Sequence, residues 1–136
     1  MTEKTPRILI VEDDYRLATE WQDTLMAKGY HVDTVPSADE ANLLLTNNYD
    51  YFVLDLFHVR NNEFLPDGGI KCIGQIRRYE AMHNKNSLII AVTGYFRHEK
   101  EYLISTDRVA KNLGADFTLE KPVNISSILG IIENRG

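Results

Sequence analysis

Three stretches of this chain are apolar from end to end: ILIV (Ile8 to Val11), YFVL (Tyr51 to Leu54) and LIIAV (Leu88 to Val92). A strand with one face in water alternates apolar and polar residues, so a strand that is apolar throughout must be covered on both faces. Between these runs the period changes. Leu17, Trp21 and Leu25 recur at helical spacing, and Gly29 follows as a stop. HVDTV (His31 to Val35) reads as a short strand, and Ser37 can cap a second helix that turns Ala41, Leu44 and Leu45 inward. Ile70, Ile73 and Ile76 mark a third helix. A fourth is expected from near His98 to Leu113-Gly114, then a short fifth strand, FTL (Phe117 to Leu119), and a terminal helix, ISSILGII.

Five strands alternating with five helices call for an α/β fold, a doubly wound parallel sheet with helices on both faces. Right-handed crossovers leave few topologies, and the flavodoxin-like order 2-1-3-4-5 is the expected one. The 136 residues show no repeat, low-complexity tract or linker. They read as one domain over 1–136, with a core from about residue 7 to 133 and no second module after it.

Net charge is -5, so no bulk attraction draws the chain to nucleic acid or to an anionic membrane. No apolar run approaches the roughly 20 residues of a membrane span, and the N-terminus is not a secretory signal. A cytoplasmic location is expected. The single cysteine, Cys72, excludes an internal disulfide and sits among isoleucines, as a packed hydrophobe would.

In such sheets ligands sit at the carboxyl ends of the strands, beside the switch in strand order. The first strand ends in Glu12-Asp13-Asp14, the third in Asp55 and the fourth in Thr93-Gly94, while Lys121-Pro122 follows the fifth. If these strands are neighbours, several carboxylates share a crevice with one ammonium and one hydroxyl. Carboxylates held close repel, and a divalent cation relieves the repulsion; oxygen ligands with room for water suit Mg²⁺. An aspartate at the centre of such a site is also a potential nucleophile that forms an aspartyl-phosphate. The remaining groups suit phosphoryl transfer, which is mostly positioning and charge neutralisation. Asp14 has a plainer role available, as the cap of the first helix.

The ordered set resembles the receiver domain of response regulators, the CheY-like family of bacterial two-component signalling. ILIVEDD matches its first strand and acidic pair, VLDL its phosphoacceptor, VTGY its switch threonine and LEKPV its lysine; GAD (Gly114 to Asp116) matches the turn into strand five. The resemblance runs from Arg7 to about Glu133. It implies a switch in which Asp55 takes a phosphoryl group from a sensor histidine kinase or a histidine phosphotransfer protein. It also implies Mg²⁺ held by Asp13, Asp55 and the backbone carbonyl of Phe57, with Glu12 acting through water. Lys121 would pair with the phosphate, and its bond to Pro122 would be cis. Thr93 would re-set the face of the fourth helix and fifth strand for a downstream protein, or for a dimer contact extending to the last helix. No turnover of an external substrate is implied.

Three departures from that pattern stand out. FHVRNNEFL (Phe57 to Leu65) lengthens the loop after Asp55 before the expected Pro66-Asp67-Gly68, and His58, Arg60 and Glu63 within it are candidates for partner contact. Thr118 stands where the family has an aromatic, with Phe117 on the other face of the strand and Tyr95 or Phe96 as candidate substitutes. The segment from Thr93 to Gly114 is also long. By the same resemblance Phe57 and Tyr95 occupy positions that flank the site, and their bulk there would give a long-lived phosphorylated form. Two rivals differ in class. One is a degenerate receiver that binds partners without phosphorylation. The other is a Mg²⁺-dependent phosphatase with an aspartyl nucleophile, which wants an acid where Phe57 stands.

Overall fold

The computed structural model describes residues 5–56, 58–60, 63–65, 69–93, 108 and 110–135. Its centre is a five-stranded sheet of β1 (Arg7–Val11), β2 (His31–Val35), β3 (Tyr51–Asp55), β6 (Leu88–Thr93) and β7 (Phe117–Glu120), in the order β2-β1-β3-β6-β7. Every neighbouring pair in it is parallel. With strands counted along the chain within this sheet, the order is the expected 2-1-3-4-5.

The continuous apolar runs have their reason in this arrangement. Leu9, Val11, Phe52, Leu54, Ile89 and Ala91 face one buried layer, under α2 (Ala38–Leu44) and α3 (Gly69–His83). Ile8, Ile10, Val53, Ile90 and Val92 face the other, under α1 (Tyr15–Ala27) and α4 (Ile125–Arg135). Alternate residues of one strand thus enter different cores, and neither face tolerates a polar side chain. Cys72 lies in the first layer, where burial pushes its thiol up to about 12.

Local signals fix the helix ends. Asp14 caps α1, its Oδ1 accepting the Leu17 N–H at 3.2 Å. Gly29 ends it at φ +97°, a conformation that glycine adopts without strain. Ser37 caps α2, accepting the Glu40 N–H at 3.3 Å. Residues 110–113 are helical, as expected for the end of the helix before β7; its expected start near His98 lies outside the described residues.

One expectation needs correction. The lengthened segment after Asp55 is not all loop: β4 (His58–Arg60) and β5 (Glu63–Leu65) pair antiparallel as a separate two-stranded sheet. Two three-residue strands around Asn61-Asn62 are too short to show a period of two, and the pair lacks the Asn-Gly or Asp-Gly that advertises a hairpin. No helix among the described residues is long and apolar enough to cross a membrane.

Candidate phosphoryl-transfer site

The parallel register brings the strand ends together. Val11 pairs with Leu54, Asp55 with Val92, and Thr93 with Glu120, so the residues that follow these pairs emerge along one edge of the sheet. Backbone bonds continue past the strands and hold that edge. Glu12 N–H reaches Val35 O at 3.0 Å, and Leu56 N–H reaches Val92 O at 2.9 Å.

Glu12, Asp13 and Asp55 each place a carboxylate oxygen within 4.8 Å of the others. Glu12 and Asp55 are buried, at 3% and 2% exposure, while Asp13 is open to solvent. Lys121 enters from beyond β7 and sets its Nζ 2.8 Å from Glu12 Oε1 and 3.4 Å from Asp55 Oδ2. The second oxygen of Glu12 accepts the Asp14 N–H at 3.1 Å, so both of its oxygens are engaged and its position is fixed. The Lys121-Pro122 peptide is cis, as the resemblance implied.

Burial, and then the negative charge of Asp55, raise the Glu12 pKa, and hydrogen bonding to Lys121 only partly opposes them. Burial alone would lower the Lys121 pKa, but Asp55 and Glu12 more than offset it and the ammonium is held charged. Among the described residues, three carboxylates face one ammonium. Such a set of hard oxygen donors, part buried and part open, fits a divalent cation. One ammonium and a cation beside a carboxylate also leave room for an incoming group that carries its own negative charge.

The comparisons extend this geometry. No protein-family model matches the chain, and a search of curated proteins finds no match. Solved structures do match. A CheY-like response-regulator receiver domain from Methylobacillus flagellatus is similar over 98% of this chain and 100% of its own, at 28% identity and a TM-score of 0.74. One from Methanospirillum hungatei JF-1 is similar over 97% and 94%, at 23% identity and 0.77. This chain has the receiver-domain fold. A Burkholderia pseudomallei response regulator, described with a phosphorylated aspartic acid, a calcium ion and citrate, is similar over 96% of this chain and 72% of its own, at 25% identity and 0.72.

Within that receiver fold the named residues fall as follows. Glu12, Asp13, Asp55 and Lys121 converge on one crevice. Thr93 closes β6, one residue past the Val92 that pairs with Asp55, and its side chain lies outside what is described. Phe57, Tyr95 and Phe96 lie outside the described residues altogether. Thr118 is half-buried, and Phe117 stands 43% exposed on the other face of β7, as strand alternation requires.

No motif or spacing in the sequence singles out Arg77. The Arg77 guanidinium of α3 donates to Gly114 O at 2.7 and 3.0 Å, to Ser87 O at 3.0 Å, to Asp116 Oδ2 at 3.0 Å and to Glu80. It ties the far end of the sheet to the turn before β7. GAD, read as that turn, holds two of the acceptors, so the signal was present in the sequence without its partner.

Proposed function

We propose that this protein is a phosphorylation switch in which Asp55 accepts a phosphoryl group from a phosphohistidine of a kinase or phosphotransfer protein. One observation carries the proposal: a buried aspartate ends the central strand among two further carboxylates, with a lysine ammonium 3.4 Å away. An Asp55 oxygen forms the new P–O bond as the P–N bond of the donor breaks, and the bonding pair returns to the imidazole nitrogen. Reversal to the resting state takes a water whose oxygen attacks phosphorus, with the carboxylate leaving and inorganic phosphate released.

Asp13, Asp55 and the Phe57 carbonyl would hold Mg²⁺, with Glu12 acting through water. Bound there, the cation supplies charge neutralisation for the phosphoryl oxygens. Lys121 is held charged between two acids and is placed to turn toward a phosphoryl oxygen. Its release from Asp55 is the first change that the new charge would impose. Thr93 would answer that charge from the end of β6 and re-set the face around β7, where a downstream protein binds. The likeness to response regulators, one of them described with a phosphorylated aspartate, supports this reading. We place the protein in the cytoplasm and expect it to turn over nothing but its own acyl phosphate.

Incubation with acetyl phosphate and Mg²⁺, followed by intact mass measurement, tests the proposal. A single phosphoryl adduct is expected on the wild-type chain and none on Asp55→Asn. Persistence of the adduct in Asp55→Asn, or its absence from the wild type, would overturn the assignment.

A further inference from the structure

The strand that delivers Lys121 to the crevice is the one with the least to hold it. β1 and β3 each bury four of their five residues, whereas no residue of β7 is buried. β7 lies at an end of the strand order and pairs with β6 alone, over four residue pairs. A segment with so little buried apolar contact has low local stability. Yet its end must keep the Lys121 Nζ 2.8 Å from Glu12 and 3.4 Å from Asp55.

The entry of β7 carries what its faces lack. Asp116 donates its N–H to Ile89 O at 2.9 Å, and its Oδ2 accepts the Ile89 N–H at 2.8 Å. Arg77 donates to that same Oδ2 at 3.0 Å and twice to Gly114 O. Its remaining bonds, to Ser87 O and Glu80, root the guanidinium in α3 and at the start of β6, where both residues are buried. One planar fork thus fastens the least buried strand to two well-buried elements. A lysine ammonium, a point charge with three donors, cannot span that set.

From Asp116 to Lys121 the chain covers five residue steps, at most about 16 Å. An extended strand passes a shift at one end to the other. Phosphoryl transfer tolerates little of it, since a displacement of about 1 Å caused far from the chemistry can cost about 100-fold in rate. We propose that Arg77 is a positioning residue for phosphoryl transfer: by clamping the entry of β7 it sets where Lys121 meets the group arriving at Asp55. The proposal rests on the phosphoacceptor role of Asp55.

The test compares wild type, Arg77→Lys, Lys121→Ala and the double variant, each shown to be folded by thermal unfolding. The rate of labelling by acetyl phosphate at saturating Mg²⁺ is read by intact mass, and Mg²⁺ affinity by calorimetry. Arg77→Lys should label about tenfold more slowly. Its Mg²⁺ affinity should stay within about twofold, because Glu12, Asp13 and Asp55 sit at the ends of other strands. The double variant should label within about twofold of Lys121→Ala, the mark of one residue acting through the other.

An unchanged rate in Arg77→Lys would overturn the proposal and leave the clamp a purely structural contact. So would a loss that adds in full to that of Lys121→Ala, or an equal fall in Mg²⁺ affinity. Should Lys121→Ala give no adduct, the split between rate and Mg²⁺ affinity in Arg77→Lys decides alone. Should Arg77→Lys not fold, Asp116→Asn takes its place, with a smaller loss expected and an unchanged rate overturning the proposal. Failure of acetyl phosphate to label the wild type would instead sink the phosphoacceptor role itself.

Discussion

The two ends of the central sheet treat buried charge in opposite ways. Where β6 and β7 begin, Arg77 meets Glu80 and Asp116, and both carboxylates also accept backbone N–H groups, from Ser87 at 2.7 Å and Ile89 at 2.8 Å. Each charge there has its partners, and no cation or anion is needed to complete the set. Where the strands end, three carboxylates share one ammonium, and Glu12 is pushed toward its protonated form by burial and by Asp55. The first arrangement stores stability in the fold. The second gathers three carboxylates around one described ammonium, an arrangement suited to a cation. Buried ionic groups alone therefore do not mark a site; several hard oxygen donors gathered at one point do.

Four measurements press on that contrast, from the largest expected effect down. Arg77→Ala removes the guanidinium from the compensated end and leaves the buried Glu80 without that ion pair. It should lower unfolding free energy in urea by about 3 kcal/mol, whereas a change under 1 kcal/mol would mean that water replaces the guanidinium. Mg²⁺ at about 100 times its dissociation constant should raise stability by roughly 2.7 kcal/mol. Calorimetry should show that rise in the wild type and a reduced one in Asp13→Asn and Asp55→Asn. A flat response in the wild type would show that the acidic end is balanced in some other way.

The third and fourth are smaller. Gly114 has φ +122°, and a Cβ there would stand 2.8 Å from Arg77 Cγ, so Gly114→Ala strains the backbone and displaces the guanidinium together. A loss of about 2 kcal/mol is expected, and a double-mutant cycle with Arg77→Ala should show the two effects to be strongly non-additive. Asp14→Ala should cost about 1 kcal/mol through loss of the α1 cap. The phosphoryl adduct should survive it, and loss of the adduct would move Asp14 from the helix into the site.

Much of this was legible in the sequence, because the residues concerned act through their own segment. ILIV, YFVL and LIIAV announce strands covered on both faces, and Asp14, Gly29 and Ser37 announce helix ends by local hydrogen bonding and backbone preference. Glu12, Asp13, Asp55 and Lys121 could be named because a parallel sheet delivers strand ends to a single edge. The β4–β5 ribbon was not legible, since three-residue strands are too short for a period and their pairing gives no local sign. Arg77 was not legible either: its acceptors at Glu80, Ser87, Gly114 and Asp116 are scattered along the chain, and no spacing rule joins them.

By itself, then, the sequence determined the sheet, its order and the identity of the residues that ring the crevice, since periodicity and capping are properties of neighbours in the chain. Tertiary structure alone decided that Lys121 bridges Glu12 and Asp55, that Arg77 closes the opposite end, and that the segment after Asp55 pairs with itself as β4 and β5. Those are contacts between residues up to 109 positions apart, and whether a charge ends compensated or exposed is settled only when the chain brings them together.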